Sequence, residues 1–223
     1  MSYSWALVIV FVVSYLIGSI NISKIISWIR GWNKDLEKQG SGNPGTMNVL
    51  RNHGVVPALI TLLLEVVKAG LTAWLCRYLT AGYGSGELVF YFSGFALVLG
   101  SCFPFLGTVR GGKGIAVVGG VYLFSNLWYV GLALFFVGVA QIMITEYGFI
   151  SSMIFLLGMT VATTVYIFVL DIAYAVMICI LIWLMLILIF ARHYKNFYRF
   201  FRHEENKAGF KNAFKKLFKK KGA

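Results

Sequence analysis

Two glycine-rich segments have the composition of anion-binding loops, and the first spans residues 40–51. It reads GSGNPGTMNVLR and combines three glycines with hydroxyl, amide and guanidinium groups. Glycines let backbone N–H groups approach an anion closely, and the planar fork of Arg51 matches carboxylate or phosphate. A polar turn punctuated by glycine and proline has a similar composition, so the residues alone leave both interpretations open.

The second segment spans residues 100–114 and ends in Gly111, Gly112, Lys113 and Gly114, after which an apolar run begins at Ile115. A helix that starts there brings unpaired N–H groups and the positive end of its dipole next to the Lys113 ammonium group. This combination favours the binding of an anion. The spacing differs from the G-x-x-x-x-G-K-[ST] pattern, so nucleotide binding is not indicated. A helix-breaking turn with one interfacial lysine is the alternative.

Charged residues also occur where a membrane makes them costly. Glu65 and Lys68 are three positions apart within an apolar run, which places them on one face of a helix. A charge inside a membrane is functional by default, and Lys68 is therefore a candidate substrate-binding residue. A mutual ion pair that ties helices together explains the same two residues, and both interpretations stay open.

A third set of polar groups follows residue 191. Arg192, Asn196 and Arg199 recur at helical spacing, so one helix face would present two cations with an amide between them. A basic segment in this position is otherwise typical of a topology anchor.

The chain that carries these residues is too apolar for a soluble domain. Its 223 residues are 59% hydrophobic and 13% charged, with a mean hydropathy of +0.80, whereas soluble domains are about 45–50% apolar. Apolar runs lie at about 5–29, 54–80, 88–107, 115–144, 149–168 and 172–191. The fourth contains Ser125 and Asn126, which favours a short helix of about ten residues, a turn, and a full helix over 127–144.

The distribution of positive charge predicts the topology. Basic residues occur at 30–51, at 110–113 and throughout the tail after residue 191, and such segments face the cytoplasm. With an external N-terminus, this arrangement requires an odd number of crossings. We therefore expect an all-α polytopic membrane protein of seven transmembrane segments with the fourth short, an external N-terminus and a cytoplasmic C-terminus. Five crossings is the alternative count.

The only shift in composition occurs at Arg192. It divides the chain into a membrane-embedded domain, residues 1–191, and a basic cytoplasmic tail, residues 192–223. Eleven of the twenty basic residues lie in this tail, so the net charge of +12 favours an anionic membrane surface over nucleic acid. Phe210, Phe214 and Phe218 recur every four residues among lysines, as in an interfacial amphipathic helix. The cysteines and histidines form no metal-ligand pattern, so neither a metal nor another cofactor is expected.

Together the motifs resemble those of the PlsY family, the membrane acyl-phosphate:glycerol-3-phosphate acyltransferases of bacteria. The matching segments are, in order, GSGNPGTMNVLR, EVVKAG, GSCFP with RGGKG, and RHYKNFYR with Glu205. The resemblance implies a seven-segment membrane fold with its site at the cytoplasmic face of the bacterial inner membrane. It also implies transfer of a fatty acyl group from acyl-phosphate to glycerol 3-phosphate, giving lysophosphatidic acid and phosphate.

The resemblance further implies roles for individual residues. The implied catalytic residues are Ser41, Arg51, Lys113, His193 and Asn196. The substrate-binding set is Gly40, Asn43, Gly45, Asn48, Lys68, Gly111, Gly112, Gly114 and Arg192. The expected partners are acyl-phosphate, glycerol 3-phosphate and membrane lipids, without nucleic acid, and the sequence leaves the oligomeric state open.

Departures from the family pattern keep two alternatives open. Ser101 stands where the family has a histidine, and the other departures are Met47, Glu65, Ala69 and Glu146. A diverged paralogue with another acyl acceptor fits these changes. Because broken helices whose dipole ends face an anion are also found in transporters, a non-catalytic role in binding or transporting lipids or organic anions is the second alternative.

Overall fold

The computed structural model describes residues 2–32, 36–38, 40–105 and 111–210, and its long regular elements are all α-helices. In chain order they are α1 (Tyr3–Ser19), α2 (Ile22–Ile29), α3 (Thr46–His53), α4 (Val55–Leu79), α5 (Gly86–Cys102), α6 (Ile115–Leu123), α7 (Trp128–Thr145), α8 (Gly148–Val169), α9 (Ala175–Arg192) and α10 (Tyr194–Phe201). Short 3-10 turns lie at Leu36–Lys38 and Ala81–Tyr83. The predicted all-α class is confirmed.

Within the described residues, four helices are long and apolar enough to cross a membrane, namely α4, α7, α8 and α9. α1 and α2 form a further apolar unit that is bent by 41° at its break, and α5 is apolar but has 17 residues. α6 has nine residues, which rise only about 14 Å and span about half of a hydrocarbon core. It ends at Leu123 and α7 begins at Trp128, so the turn predicted at Ser125 and Asn126 is present.

The break between α1 and α2 is held by the two charged residues of α4. Glu65 Oε1 accepts a hydrogen bond from the N–H of Ile22 at 2.9 Å. Lys68 Nζ donates to the carbonyl of Ile20 at 2.5 Å and lies 2.7 Å from Glu65 Oε2. Backbone groups without helical partners are costly in hydrocarbon, so the pair stabilises the bend. The structure therefore favours the interpretation in which this pair ties helices together.

α5 is the centre of the bundle, with eleven of its 17 residues buried. It packs against α1, α4, α6 and α9, and glycines allow its closest approach. A Cβ on Gly18 would overlap the backbone of Leu97, and a Cβ on Gly100 would overlap the backbone of Tyr15. Larger residues at these glycines would push α1 and α5 apart. The contact fixes the end of α5, from which the second glycine-rich loop starts.

Polar side chains also close the end of the bundle where α4 finishes. Arg77 Nη2 lies 2.8 Å from Glu87 Oε1, and Asn126 Nδ2 donates to the same carboxylate oxygen at 2.9 Å. Since the first glycine-rich loop precedes the start of α4, this cluster and that loop lie at opposite ends of a 25-residue helix.

After α10 the chain turns back and packs against α3. We name this segment, residues 204–210, the C-terminal strap. Ala208 in the strap is buried. Phe210 at its end packs against the cluster that contains Val49 and Leu50 of α3. The rest of the predicted amphipathic helix, with Phe214 and Phe218, lies outside the described residues.

Candidate active site

A cavity of about 590 Å³ lies where the first loop, the end of α5, the second loop and the junction of α9 with α10 meet. The predicted site residues that line it are Ser41, Asn43, Gly111, Lys113, Arg192 and Asn196. Those that do not line it are Gly40, Gly45, Asn48, Arg51, Lys68, Gly112, Gly114 and His193. The structure thus brings the two loops and the last helices together and places Lys68 elsewhere, at the α1–α2 break.

The first loop is organised by the buried side chain of Asn48. Its Oδ1 accepts from the backbone N–H of Ser41 at 3.1 Å, and its Nδ2 donates to the carbonyl of Leu36 at 2.7 Å. Gly40 has a φ of 57°, in the left-handed region that glycine tolerates, and a Cβ there would meet Asn48 Oδ1. Asn48 and Gly40 therefore shape the loop, while Ser41 faces the cavity.

Arg192 holds the second loop in place. Its guanidinium donates to the carbonyls of Gly111 at 3.0 Å and Gly112 at 3.1 Å. The N–H of Gly112 donates to the carbonyl of Ser101 at 2.9 Å. Gly114, at a φ of 80°, is the N-cap of α6, a conformation that favours glycine. The last turn of α9 and the end of α5 together set the position of Lys113.

Lys113 begins a chain of polar contacts that crosses to α10. Its ammonium group contacts Oδ1 of Asn196. Asn196 Nδ2 donates to Glu205 Oε1 at 2.6 Å, and Arg199 Nε donates to Glu205 Oε2 at 2.8 Å. One carboxylate at the start of the strap therefore orients an amide and a guanidinium that both line the cavity.

The electrostatics of the cavity are strongly positive. Lys113, Arg192, Lys195 and Arg199 line it, and no acidic residue does so among the described residues. Burial lowers the pKa of Lys113 to about 8; Glu205 opposes this shift, and the neighbouring arginines add to it. A ligand with negative charge would relieve the repulsion between these cations.

Arg51 lies behind the first loop and contacts the strap. Its Nε donates to the carbonyl of Lys207 at 3.0 Å, and its Nη2 approaches the carbonyl of Asn206 at 3.4 Å. Burial lowers the pKa of Arg51, and Glu205 opposes the shift. The third nitrogen, Nη1, is buried with no hydrogen-bond partner among the described residues. Nη1 is therefore a donor that the contacts with the strap do not use.

His193 sits at the end of α9 and is buried. Its Nδ1 lies 2.8 Å from the carbonyl of Ile189, and because a carbonyl only accepts, Nδ1 carries the proton. Burial, with Lys113 as the next cause, lowers the pKa of His193 to about 4. The side chain is therefore neutral near pH 7. Its predicted catalytic role stays a prediction, and this geometry is that of an orienting group.

Sequence reasoning missed several residues of the cavity wall. Phe103 lines the cavity, and its ring lies 5.4 Å from the Arg192 guanidinium carbon. Lys195 also lines it, although its spacing sets it off the face shared by Arg192, Asn196 and Arg199. That shared face was a usable signal for Arg199, whereas Phe103 was noted only as part of the GSCFP motif and was given no role. No group of metal-ligating side chains occurs among the described residues.

The sequence profile of the glycerol-3-phosphate acyltransferase family matches residues 8–203 of the chain. The chain belongs to this family. The matched range contains both glycine-rich loops, α9 and α10, and with them every residue that lines the cavity. It stops just before the C-terminal strap.

Relatives in several bacteria support this assignment. A glycerol-3-phosphate acyltransferase of Francisella tularensis subsp. novicida is 33% identical over 200 residues, covering 90% of this chain and 92% of that protein. A glycerol-3-phosphate acyltransferase of Laribacter hongkongensis is 34% identical over 151 residues, covering 68% of this chain and 74% of that protein. One of Ralstonia pickettii is 40% identical over 128 residues, covering 57% of this chain and 61% of that protein, which is less than two thirds of its length.

The fold is similar to that of PlsY (YgiH), an integral membrane glycerol 3-phosphate acyltransferase. The crystal structure of its glycerol 3-phosphate form has a TM-score of 0.75 and 28% identity, covering 90% of this chain and 94% of that one. The lysophosphatidic acid form has a TM-score of 0.73 and 27% identity, covering 93% and 98%. The present chain is accordingly an integral membrane member of this family.

We expect anion binding at the cavity to weaken above about pH 8. The pKa of Lys113 is lowered to about 8, so the free site loses this positive charge as the pH rises through that value. Sulfate serves as the probe because its own charge is constant in this range. Titration calorimetry should show the dissociation constant of sulfate rising by up to about tenfold per pH unit above pH 8.

Lys113→Arg is the control for this experiment, since arginine keeps its charge over the whole range. Its sulfate affinity should be nearly independent of pH, even if it is weaker than that of the wild type. An equal pH dependence in both proteins would show that another group titrates.

Proposed function

We propose that the protein transfers a fatty acyl group from acyl-phosphate to the first hydroxyl of glycerol 3-phosphate, giving lysophosphatidic acid and phosphate. The observation that carries the proposal is the cluster of Lys113, Arg192 and Arg199 around one cavity without an acidic residue in its described wall. Two phosphate-bearing substrates need this excess of positive charge. Family membership and the apolar helices beside the cavity agree with one acceptor and one lipid-like donor.

The chemistry asks little of the protein beyond binding and charge stabilisation. Acyl-phosphate is a mixed anhydride, so a covalent enzyme intermediate is unnecessary. The acceptor hydroxyl oxygen bonds to the carbonyl carbon, the bond from that carbon to the phosphate oxygen breaks, and the hydroxyl proton passes to phosphate. Holding both anions together and stabilising charge on the carbonyl and the leaving phosphate lowers the barrier. A substrate phosphate oxygen is the base in this scheme.

The described contacts suggest a division of roles. Lys113 and Arg192 neutralise phosphate inside the cavity, and Arg51 contributes through Nη1 from behind the first loop. The Ser41 hydroxyl, 3.4 Å from Asn48 Oδ1, and the Asn196 amide orient the reacting groups. Lys68 has no place in this scheme, because its ammonium group is already bound by the carbonyl of Ile20 and by Glu65.

Exposed aromatic residues beside the cavity provide a surface for the acyl chain. Phe103 lines the cavity and is half exposed, and Phe105, two residues on, is also exposed. A chain that lies across these rings keeps its apolar surface in lipid while its phosphate enters the cationic cavity.

The proposal includes the finer topology: seven membrane-crossing segments, an external N-terminus, and a site at the cytoplasmic face of a bacterial inner membrane. The basic residues of the first loop and of α10 lie at the cavity end of the bundle, in agreement with the bias of positive charge toward the cytoplasm. The division at residues 191 and 192 marks the membrane boundary in this proposal. The site itself uses residues from both sides of that division.

Cysteine labelling tests the topology. In a background in which Cys76, Cys102 and Cys179 are replaced by alanine, Gly82→Cys should react with a membrane-impermeant maleimide added outside the cell. Glu204→Cys should react only after the membrane is made permeable. Both positions are exposed, so the difference reports on sidedness, and the reverse pattern would contradict the proposed orientation.

Phosphate release from acyl-phosphate tests the activity. The purified protein in detergent should release phosphate at a rate that depends on glycerol 3-phosphate and should form lysophosphatidic acid. Arg51→Ala and Lys113→Ala should each lower kcat/KM by the equivalent of about 2–5 kcal/mol, the scale for leaving a buried charge unpaired.

The matched control is Lys38→Ala, which removes a positive charge from an exposed residue outside the cavity. Its activity should stay close to that of the wild type. Normal turnover in a folded Arg51→Ala or Lys113→Ala protein would remove that residue from the site. Phosphate release without acceptor dependence would indicate hydrolysis instead of transfer.

Ser101 gives a second test of the enzyme. Its carbonyl already supports Gly112, and its hydroxyl can replace one hydrogen bond of the histidine that the family usually has. We expect weak but measurable transfer, raised by Ser101→His and retained in Ser101→Ala. A wild-type protein that is inactive toward acyl-phosphate, and is not rescued by Ser101→His, would favour binding or transport.

A further inference from the structure

The C-terminal strap is anchored at three points. At its start, the Glu205 carboxylate accepts hydrogen bonds from Asn196 and Arg199. In its middle, Ala208 is 1% exposed, and its N–H donates to the carbonyl of Glu146 at 2.7 Å. At its end, Phe210 packs against the cluster that includes residues of α3. These anchors connect α10, the turn between α7 and α8, and α3.

One peptide unit of the strap is held by hydrogen bonds on both of its sides. The carbonyl of Lys207 accepts from Arg51 Nε at 3.0 Å, and the N–H of Ala208, in the same peptide plane, donates to Glu146. Glu146 has a φ of 61° and ends α7, so its carbonyl is presented by a fixed turn. A peptide that donates on one side is a better acceptor on the other, because hydrogen bonds in a chain polarise one another.

The strap therefore determines which nitrogen atoms of the Arg51 guanidinium are occupied by hydrogen bonds and which one is left over. Nε and Nη2 are directed at the carbonyls of Lys207 and Asn206, which leaves the buried Nη1 without a partner among the described residues. Both acceptors are neutral carbonyls, so the guanidinium is oriented while its charge is kept. This arrangement suits a group that must meet a second anion.

We propose that the Lys207–Ala208 peptide unit is a positioning element for Arg51, and that it holds the guanidinium so that Nη1 meets a substrate phosphate. The proposal rests on the proposed function and extends it to residues beyond the range matched by the family profile. Arg51 contacts the substrate, and the strap acts only through Arg51. The side chain of Lys207 is exposed and takes no part.

Ala208→Pro is the direct test, since proline removes the N–H that Glu146 accepts while the Lys207 carbonyl remains. Phe210→Ala is the second variant, which loosens the far anchor and leaves the peptide unit intact. Each should raise the KM of one phosphate-bearing substrate by about five- to tenfold, the effect of one weakened hydrogen bond, with kcat within about twofold because ground-state binding of a phosphate is what is lost. Lys207→Ala should keep the wild-type KM.

The effect of Ala208→Pro on KM can be compared with and without Arg51, and this comparison distinguishes positioning of Arg51 from a general loss of structure. In an Arg51→Lys background the side chain no longer presents the paired Nε and Nη2 donors, so Ala208→Pro should add less than twofold to KM. Effects that are equally large in both backgrounds would show that the strap acts independently of Arg51.

Three other results would overturn the proposal. They are unchanged KM values in both strap variants, a fall in kcat alone as from a smaller folded fraction, or a Lys207→Ala effect as large as that of Ala208→Pro. Failure of the proposed function looks different, because the wild-type protein itself would then lack acceptor-dependent phosphate release.

Discussion

Two guanidinium groups of this site, those of Arg51 and Arg192, are held in place by neutral backbone carbonyls, and the rest of the architecture serves that arrangement. Arg192 donates to the carbonyls of Gly111 and Gly112, and Arg51 donates to the carbonyls of the strap. Neutral carbonyls fix the geometry of a guanidinium but leave its charge available to a ligand. The carboxylate of Glu205 is shared between Asn196 and Arg199. Glu205 offsets part of the repulsion between these cations, and anionic substrates would offset more of it.

Much of the site could be predicted from local sequence. Glycine-rich segments next to apolar runs marked both loops, because backbone approach to an anion requires glycine at short range. The face of Arg192, Asn196 and Arg199 followed from helical periodicity. The sequence does not distinguish residues that hold the loops in shape from residues that would contact a ligand. Asn48 carries the same amide as Asn43, and only burial shows that it organises the loop while Asn43 faces the cavity.

Long-range contacts account for what the sequence did not show. Arg51 and Lys207 are 156 positions apart, and the strap has no periodicity or composition that points to α3. The helices themselves were predictable, since a continuous apolar run in a membrane must satisfy its own backbone. The break at Ser125 and Asn126 followed from polar residues within such a run. The bend between α1 and α2 did not, because the groups that stabilise it, Glu65 and Lys68, are supplied by α4.

The two charged residues that α4 contributes also affect its insertion into the membrane. Glu65 and Lys68 are one helical turn apart, and their charged groups lie 2.7 Å from each other. These two side chains can therefore enter the bilayer as a neutral pair, which avoids inserting an isolated charge in the middle of α4. Once α1 and α2 are in place, the same pair captures the backbone of Ile20 and Ile22. The ion pair thus lowers the cost of placing two charges in the bilayer, and it also holds the bend of the neighbouring segment.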